Sequence, residues 1–430
     1  MSPRPVLGAV ADDLTGATDL AITLVEAGFR TTVVVGDREP GAVAGSTDAR
    51  VAGRGVDAVV VALTTRSDPP ETAVRRTLGA LERLRAAGCE RFYFKYCSTF
   101  DSTPRGNIGP VLDAVLDELG ETATVVVPSF PANGRTVYQG HLFVGDRLLS
   151  ESSMRDHPVT PMSDADLRRL LAAQSRSATG LVPLQVVRRG PAAVRSAFDE
   201  LVGGGARLVV VDAVDDADLV TVARATAHVR LLSGGSALAQ GLVGPRPTGA
   251  SEVDVPDGPR IVLSGSASVA TRGQVAHALM HGAGTRLRAA ALRDGFDATV
   301  DATVRAALDA PREPFVVYAT ATAEDVVPGD AALLERAFGA IAQGLVAAGV
   351  RALVVAGGET SGAVTAALGV RHLDVGPVLD PGVAWARAVR DDGDDVALVL
   401  KSGNFGGPDL FCRAWDVGRR SEATTDAAPA

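Results

Sequence analysis

The stretch "VLGAVADDLTGATDLAITLVEAGF", residues 6–29, places an uninterrupted apolar run directly before a polar turn and an amphipathic helical pattern. Such a run is typical of a strand that is covered on both faces. A buried strand that leads into a helix predicts an α/β fold with a mostly parallel sheet. The turn contains two adjacent acids, Asp12 and Asp13, although one aspartate is enough to cap a helix. The second acid therefore indicates a further role.

The same succession of apolar runs and helical patterns continues along the chain. In the first half, strands are predicted at the ranges 31–36, 57–63, 91–97, 123–130 and 206–214, and a helix at 70–88. After residue 259 the pattern begins again, with segments at 260–280, 314–320, 330–349, 351–369 and 395–407. Two such series predict two domains, each with a mostly parallel sheet flanked by helices.

Turn-forming residues divide the two series. The segment 244–259, "GPRPTGASEVDVPDGP", has little to bury and predicts a linker between an N-terminal domain at 1–243 and a C-terminal domain at 260–420. The Ala- and Thr-rich end, 421–430, is expected to be a disordered tail. A stretch rich in Gly, Asp and Arg near 37–55 is expected to be a surface insertion, and we assign it no function.

Composition limits the classes of function. The 430 residues carry a net charge of −9 without a cluster of Lys or Arg, which argues against nucleic acid or an anionic membrane as partner and favours small molecules. The three cysteines are an odd number and form no CxxC pair, so neither a zinc site of that type nor a disulfide framework is indicated. The absence of a signal-peptide pattern and of a long apolar segment predicts a cytoplasmic protein.

Three strands of the second half end in turns of small residues: "VLSGSAS" (262–268), "VVAGGETSGA" (354–363) and "VLKSGNFGG" (399–407). A glycine-rich turn before a helix offers backbone N–H groups and a positive dipole to a phosphate. Each turn alone is explained equally well as a tight connection. Together they predict nucleotide binding, because their polar side chains would meet at one sheet edge: Ser264, Ser266, Glu359, Thr360, Ser361 and Ser402. None has the form of a P-loop or a GxGxxG fingerprint.

The first half holds a second group of polar residues after predicted strands. They lie in "ADDLTGATD", in "FKYCSTFDSTPRGNIG" (94–109) and in a Pro- and Gly-rich loop at 128–146, and the candidates are Asp12, Asp13, Thr15, Lys95, Ser98, Asp101, Ser102, Thr103, Arg105, Asn133, Arg135 and His141. Cations bind a carboxylate and aspartates accept hydroxyl protons, so the set suits a small, hydroxylated acid. One of the paired aspartates could instead be a helix cap, Lys95 a solvated strand-end residue and His141 a structural histidine.

Several longer motifs carry a family resemblance. The chain resembles the four-carbon acid sugar kinase family from about residue 6 to 412, on the segments "ADDLTGATD", "FYFKYCSTFDSTPRGNIGPV", "NGRTVYQGHLFVGDRLL", "ESSMRDHPVTPM", "VLSGSASVATRGQV", "AGGETSG" and "LKSGNFGGPDLF". Leu14 stands where the family often has Phe, an apolar exchange. The resemblance implies a sugar-acid-binding N-terminal domain, an ATP-binding C-terminal domain and an active site in the cleft between them.

The resemblance also implies roles for individual residues. ATP would be bound by Ser264, Gly357, Gly358, Glu359, Thr360 and Gly403. The sugar acid would be bound by Asp12, Asp13, Thr15, Lys95, Ser98, Asp101, Ser102 and Arg135. One acid among Asp12, Asp13 and Asp101 would orient or deprotonate the attacking hydroxyl, and which of them does so is left open. Mg²⁺ would bridge the ATP phosphates, and no protein ligand for a metal is predicted.

The expected reaction is ATP-dependent phosphorylation of the 4-hydroxyl of a 3-oxo-tetronate in tetronate catabolism. D-threonate or D-erythronate are alternative acceptors. A dehydrogenase of similar architecture would need a glycine-rich dinucleotide turn where the chain has "ADDLTGA". A non-catalytic sugar-acid-binding protein would not need the three phosphate-type turns. The sequence leaves open whether the chain forms a homo-oligomer.

Overall fold

The computed structural model describes residues 6–36, 55–156, 160–247, 249, 251–311, 313–327 and 329–416. The chain divides into two compact units, Met1–Ala250 and Ser251–Ala430. The predicted insertion near 37–55 lies outside the described residues except for Gly55, and so does the predicted tail at 421–430. Within the described ranges, no helix combines the length and apolar character needed to cross a membrane.

The first unit contains the following elements. Its strands are β1 Leu7–Ala11, β2 Thr31–Val35, β3 Ala58–Ala62, β4 Arg91–Lys95, β5 Thr124–Val127, β6 Arg135–Tyr138, β7 His141–Val144, β8 Arg147–Leu148, β9 Ala178–Val182, β10 Ala206–Val211 and β11 Leu231–Gly234. Its helices are α1 Leu14–Glu26, α2 Pro70–Ala86, α3 Ile108–Leu119, α4 Leu167–Gln174, α5 Leu184–Val187, α6 Pro191–Gly203 and α7 Asp216–Ala225, with 3-10 turns at Pro131–Asn133, Leu149–Glu151 and Ser236–Gly241.

The main sheet of this unit is parallel, with the strand order β2-β3-β1-β4-β11-β5-β10-β9. Strands β1, β3 and β5 are short and rich in Val and Ala, which pack well on a sheet covered on both faces, and every residue of these three strands is buried. Helix α1 buries eleven of its thirteen residues, so it belongs to the core and is not a surface helix.

The register of the sheet brings the carboxyl ends of neighbouring strands level. Ala11 at the end of β1 lies opposite Ala62 of β3 and Lys95 of β4, and Lys95 lies opposite Gly234 of β11. From β1 the chain passes to β2, returns to β3 between these two strands, and then crosses to β4 on the other side of β1, so the strand order reverses between β1 and β4. Ligands of open α/β sheets bind at the carboxyl ends of the strands at such a reversal.

The second unit contains a second sheet. Its strands are β12 Ile261–Ser264, β13 Ala283–Arg286, β14 Phe315–Tyr318, β15 Ala352–Ala356, β16 Val370–Asp380, β17 Val383–Arg390 and β18 Asp395–Lys401. Its helices are α8 Val269–His281, α9 Ala289–Asp294, α10 Phe296–Leu308, α11 Ala331–Ala347, α12 Gly358–Ala367 and α13 Leu410–Arg413, with a 3-10 turn at Ala323–Asp325.

The strand order in the second unit is β13-β14-β12-β15-β18-β17-β16. The first five strands are parallel, and β17 and β16 continue the sheet in antiparallel pairs. Ser264 at the end of β12 lies opposite Ala356 of β15, which lies opposite Lys401 of β18. The three turns that follow these strands therefore begin at the same edge. The α/β prediction of two mostly parallel sheets is confirmed.

One segment differs from the sequence-based expectation. The sequence predicts a loop over residues 128–146, whereas β6 and β7 lie within this range and form a small antiparallel sheet with β8, which follows it directly. Two of its glycines form the turns between the strands. Gly140 and Gly145 adopt φ values of +73° and +63°, which glycine can adopt without backbone strain. Each of the two longer strands buries one apolar side chain completely, Val137 on β6 and Leu142 on β7.

Candidate active site

Asp13 is the N-cap of helix α1. Its Oδ1 accepts a hydrogen bond from the Gly16 amide at 2.8 Å, and its Oδ2 accepts one from Thr15 Oγ1 at 2.8 Å. A Cβ at position 16 would lie 2.3 Å from Asp13 Oδ1, so the cap requires the glycine of the "DLTG" turn. Burial alone would raise the pKa of Asp13, but Arg66 and Lys95 lower it below its usual value. Asp13 is thus an ionised cap.

Asp12 has a different partner, which the sequence analysis missed. Arg66 Nε and Nη2 donate to Asp12 Oδ2 and Oδ1 at 3.0 and 2.8 Å, in the two-pronged geometry that is strongest for a guanidinium and a carboxylate. Arg66 Nη2 also donates to Asp13 Oδ1 at 2.7 Å. Burial raises the pKa of Asp12 although Arg66 opposes the shift. The paired acids of the opening stretch therefore hold one half-buried arginine.

The loop that carries Arg66 is fixed from two sides. The amides of Thr65 and Arg66 donate to the Asp12 carbonyl at 2.9 and 3.2 Å. The buried amide of Asn107 donates to the carbonyls of Thr65 and Asp68 at 2.7 and 3.1 Å. No sequence motif connects Arg66 with Asp12, because 54 positions separate them and the contact follows from strand order.

Lys95 and Asp19 are buried residues of opposite charge beside this cluster. Lys95 is 3% exposed at the end of β4, and its Nζ donates to the Tyr96 carbonyl at 2.9 Å. Asp19, on α1, accepts from Ser236 Oγ at 2.5 Å through Oδ2, whereas its buried Oδ1 has no hydrogen-bond partner among the described residues. Burial raises the pKa of Asp19 to about 6, against the attraction of Lys95. Asp19 was within the quoted opening stretch but was not selected.

The segment after β4 presents Ser98 and Asp101. Thr99 Oγ1 donates to Asp101 Oδ1, and Cys97 Sγ lies 2.9 Å from the same hydroxyl. Within the described residues, neither Ser98 Oγ nor Asp101 Oδ2 makes a hydrogen bond, and both residues are half-buried. Burial, with the charge of Asp101, raises the pKa of the Cys97 thiol to about 11. Ser98 and Asp101 thus keep polar atoms available for a ligand.

Ser102 and Arg135 stand apart from these groups. Ser102 is 2% exposed, and its Oγ accepts from Gln174 Nε2 at 2.8 Å, which is a contact internal to the fold. Arg135, on β6, donates to the Asn133 carbonyl, and its buried Nε lacks a partner within the described part of the chain. The small sheet that carries Arg135 is attached to the end of β10, where Asp212 Oδ2 accepts from the Gln139 amide at 2.7 Å. The structure gives no contact between Arg135 and Lys95 or Asp101 in the described ranges.

Three other predicted residues have local roles or remain at the surface. Thr103 Oγ1 accepts from the Arg105 amide at 3.2 Å, and the Arg105 side chain is exposed. His141 Nδ1 lies 2.9 Å from the Gln139 carbonyl, and its Nε2 lies 4.0 Å from Asp166 Oδ2. These contacts support the structural interpretation of His141.

In the second unit, the three small-residue turns are in direct contact. A Cβ at Gly265 would lie 2.1 Å from Thr360 Oγ1, and a Cβ at Gly403 would lie 2.6 Å from Ser266 Oγ. Gly357 has φ +122°, and its Cβ would lie 3.2 Å from the Ser266 amide nitrogen of the first turn. Each turn therefore uses a glycine where it touches another turn. The result is a cluster of backbone and hydroxyl groups beyond β12, β15 and β18.

This cluster contains polar groups without partners. The hydroxyls of Ser264 and Ser361 are buried and make no hydrogen bond in the described part of the chain. Helix α12 begins here with Gly357 as N-cap, which offers no side chain to the first amides of the helix. Thr360 is buried, whereas Glu359 is exposed. Burial and the neighbouring Glu359 raise the pKa of Glu335.

Lys401 is a third residue that the sequence analysis did not select, after Arg66 and Asp19. It is fully buried at the end of β18, and its Nζ donates to Thr271 Oγ1 at 2.7 Å and to the Gly403 carbonyl at 3.2 Å. Burial lowers its pKa to about 7. The composition could have identified Lys401, because the chain has only two lysines, Lys95 and Lys401. Each of them ends a strand at one of the two polar clusters.

Comparisons with known proteins match each of the two units to a different family model. Two family models match, a sugar-binding N-terminal domain over residues 7–242 and a nucleotide-binding C-terminal domain over residues 261–411. Relatives from Cupriavidus necator and Burkholderia multivorans, both named 3-oxo-tetronate kinase, are 47% and 46% identical, with 96% of this chain and 97% of each relative covered. The chain belongs to the four-carbon acid sugar kinase family. The resemblance found in the sequence is thereby confirmed.

A solved structure of this fold is also similar. The crystal structure of a protein from Salmonella typhimurium LT2 is 39% identical and has a TM-score of 0.85, with 95% of this chain and 98% of that chain covered. The nucleotide-binding family model includes all three turns of the second unit. Their unpartnered hydroxyls, their glycine contacts and the start of α12 fit a phosphate-bearing ligand, because phosphate oxygens accept from amides and hydroxyls at close range.

Proposed function

We propose that the chain is an ATP-dependent 3-oxo-tetronate 4-kinase. In the reaction, a bond forms between the acceptor O4 and the γ-phosphorus, the bond from that phosphorus to the β–γ bridging oxygen breaks, and the O4 proton passes to a base. The observation that carries this proposal is the near-full-length similarity, at 46–47% identity, to relatives named 3-oxo-tetronate kinase. Phosphoryl transfer needs mainly positioning and neutralisation of charge, which two polar clusters at strand ends can supply.

The nucleotide would be held by the second unit, where Ser264, Gly357, Gly358, Thr360 and Gly403 surround the start of α12. ATP would supply the transferable γ-phosphoryl group. The Ser264 hydroxyl, buried and without a partner in the described residues, would donate to a phosphate oxygen. Glu359, the one acid in the three turns, is exposed and would face solvent or a metal-bound water.

Mg²⁺ would be carried in with the phosphates. Mg²⁺ keeps several waters and often needs only one or two carboxylates beside substrate phosphates. The three turns offer hydroxyls and one carboxylate, which fits an ion held mainly by the nucleotide. We assign it no protein ligand beyond the water-mediated contact with Glu359.

The acceptor would be held by the first unit. Lys95 would bind its carboxylate or keto oxygen, Ser98 would donate to it, and Arg135 would supply a second cation through its unpartnered Nε. Thr15 and Ser102 are engaged within the fold, so their contribution would be to shape the site. A sugar without a carboxylate would leave these donors without their acceptor, and the site would therefore reject uncharged sugars.

Asp101 is our candidate for the general base. Both oxygens of Asp12 are engaged by Arg66, and Asp13 caps α1 with a lowered pKa, which makes it a weak proton acceptor. Asp101 accepts from Thr99 through Oδ1 and keeps Oδ2 available. Asp12 and Asp13 would act as positioning residues that hold Arg66.

The test couples ADP release to turnover across a panel of acceptors. We expect activity on a 3-oxo-tetronate, much lower kcat/KM on D-erythronate and D-threonate, and none on erythrulose. Asp101→Asn should lower kcat at least 100-fold with an unchanged Kd for ATP. Asp117→Asn, which changes an exposed acid paired with Arg176, is the matched control and should be near wild type. Higher kcat/KM on a plain tetronate would overturn the acceptor assignment, and no turnover in protein that binds ATP would overturn the kinase assignment.

A further inference from the structure

A cluster of metal-binding side chains lies on helix α8, outside the residues assigned to the reaction. His277 and His281 are four residues apart and therefore lie on one face of the helix. Their rings are stacked, with centroids 4.6 Å apart. One ring nitrogen of each histidine and Cys412 Sγ, on α13, all lie within 4.8 Å of one another.

The hydrogen bond of His281 leaves one of its ring nitrogens available to bind a metal. Its Nδ1 lies 2.9 Å from the His277 carbonyl oxygen. A carbonyl oxygen can only accept, so Nδ1 carries the proton and Nε2 presents its lone pair. Metal-bound histidines commonly donate from their other nitrogen to a carbonyl or carboxylate in this way. His281 is exposed, while His277 and Cys412 are half-buried, so an ion can enter from solvent.

The position of Cys412 is fixed independently of the histidines. Leu410 and Phe411, directly before it, are fully buried. Gln274, one turn before His277 on α8, donates through Nε2 to the carbonyls of Phe405, Gly406 and Gly407 at 3.0, 2.8 and 3.0 Å. The segment that leads into α13 is therefore tied to α8 next to the cluster. The thiol and the imidazoles are held near one another by the fold.

We propose that His277, His281 and Cys412 bind a transition-metal ion of the zinc class. Two imidazoles and a thiolate favour Zn²⁺ or Co²⁺ over Mg²⁺ and Ca²⁺, which prefer oxygen ligands. Rotations of the exposed imidazole and of the thiol would shorten the separations to the ~3.5 Å expected between ligands of a tetrahedral ion. On binding, the thiol proton is released to solvent and a water fills the fourth position. The cluster escapes sequence analysis because Cys412 is 131 positions beyond His281.

A bound ion would connect α8 to α13. The segment between β18 and α13 is already joined to α8 at its beginning, where Thr271 Oγ1 contacts Lys401 Nζ and the Gly403 carbonyl, so the ion would fix its other end to the same helix. This predicts a structural effect on the second unit. It does not depend on the proposed reaction, and it can be measured without substrate.

The experiment titrates Co²⁺ into the full chain after removal of any histidine tag. We expect one equivalent to bind and to produce a thiolate-to-cobalt charge-transfer band, which Zn²⁺ then abolishes. Cys412→Ser should lose the band and His281→Asn should weaken binding at least 10-fold. His228→Ala, which alters a partly exposed histidine of the first unit, is the matched control and should retain the band. Since His281 is exposed, its variant should fold normally, as circular dichroism without metal would report.

Two results would overturn the proposal. One is the absence of a charge-transfer band in the wild-type chain at Co²⁺ concentrations that saturate a control zinc protein. The other is a band that survives Cys412→Ser. A metal-dependent rise in the midpoint of thermal unfolding that occurs in the wild type and is absent in both cluster variants would support the structural effect.

Discussion

The pair Asp12 and Asp13 illustrates how two identical neighbouring residues acquire different roles. Asp13 caps a helix, a role that the sequence analysis allowed for one of the two acids, and Asp12 binds Arg66 in a two-pronged ion pair. The cap could be predicted because its partners are two and three residues away. The contact between Arg66 and Asp12 could not be predicted, because it depends on β1 and β3 being neighbours in the sheet.

The first prediction concerns the Asp12–Arg66 pair. Asp12→Asn should lower the free energy of unfolding by about 3 kcal/mol, because it removes a buried carboxylate and leaves the half-buried Arg66 guanidinium with Asp13 as its ionic partner among the described residues. Asp68→Asn removes the acid from the more exposed pair with Arg76 and should cost only about 0–1 kcal/mol. Urea unfolding of both variants at pH 7 measures the difference. Equal losses would show that Asp12 is no more important to the fold than a surface acid.

The second prediction concerns the protonation of Lys401, whose pKa burial lowers to about 7. The unfolded chain binds this proton up to about pH 10.5, so between pH 7 and pH 10 the unfolded state holds more protons. The free energy of unfolding therefore rises with pH across that range. The cost of burying the charged form of Lys401, roughly 4–5 kcal/mol, is fully present only below pH 7. Lys401→Met should lack this rise.

The measurement is carbon NMR of protein labelled only at lysine. With two lysines in the chain, two ε-carbon signals are expected. One should titrate near pH 7 and should be missing from Lys401→Met. Titration of both signals above pH 10 would contradict a neutral Lys401 in the native state.

At the scale of elements, the three glycine-rich turns were the most informative part of the sequence. Their positions after buried strands were visible in the apolar pattern, and the structure brings them into contact. Their roles in ATP binding stay a prediction. The small sheet β6–β8 was not foreseen, since its strands are four residues or fewer and their glycines resemble those of an irregular loop.

The third prediction tests the start of helix α12. Gly357→Ala places a side chain in a left-handed conformation, 2.9 Å from Thr360 Oγ1, where phosphate is proposed to approach. We expect the Kd for ATP to rise at least 30-fold, with a stability loss of about 1–2 kcal/mol. Gly362→Ala, five positions further along the same helix, meets no atom within 4 Å and should leave ATP binding unchanged. Calorimetry measures both, and equal affinities would place the phosphates elsewhere.

At the scale of the whole molecule, the fold class and the family could be predicted from sequence, and both are confirmed. Long apolar runs and helical patterns depend on local spacing, which a sequence displays directly. The division between Ala250 and Ser251 falls within the segment proposed as the linker. What sequence did not reveal were the contacts between distant segments: Arg66 with Asp12, Asn107 with the Arg66 loop, and Lys401 with Thr271.

The central claim, that the chain phosphorylates the 4-hydroxyl of a 3-oxo-tetronate, is tested most directly by the position of phosphate in the product. Phosphorus–proton correlation NMR of a reaction that contains ATP, Mg²⁺ and the 3-oxo acid should show one new phosphate monoester. Its phosphorus should couple to the two protons of the C4 methylene group. Coupling to the single proton on C2, or the absence of a new monoester from protein that binds ATP, would contradict the account.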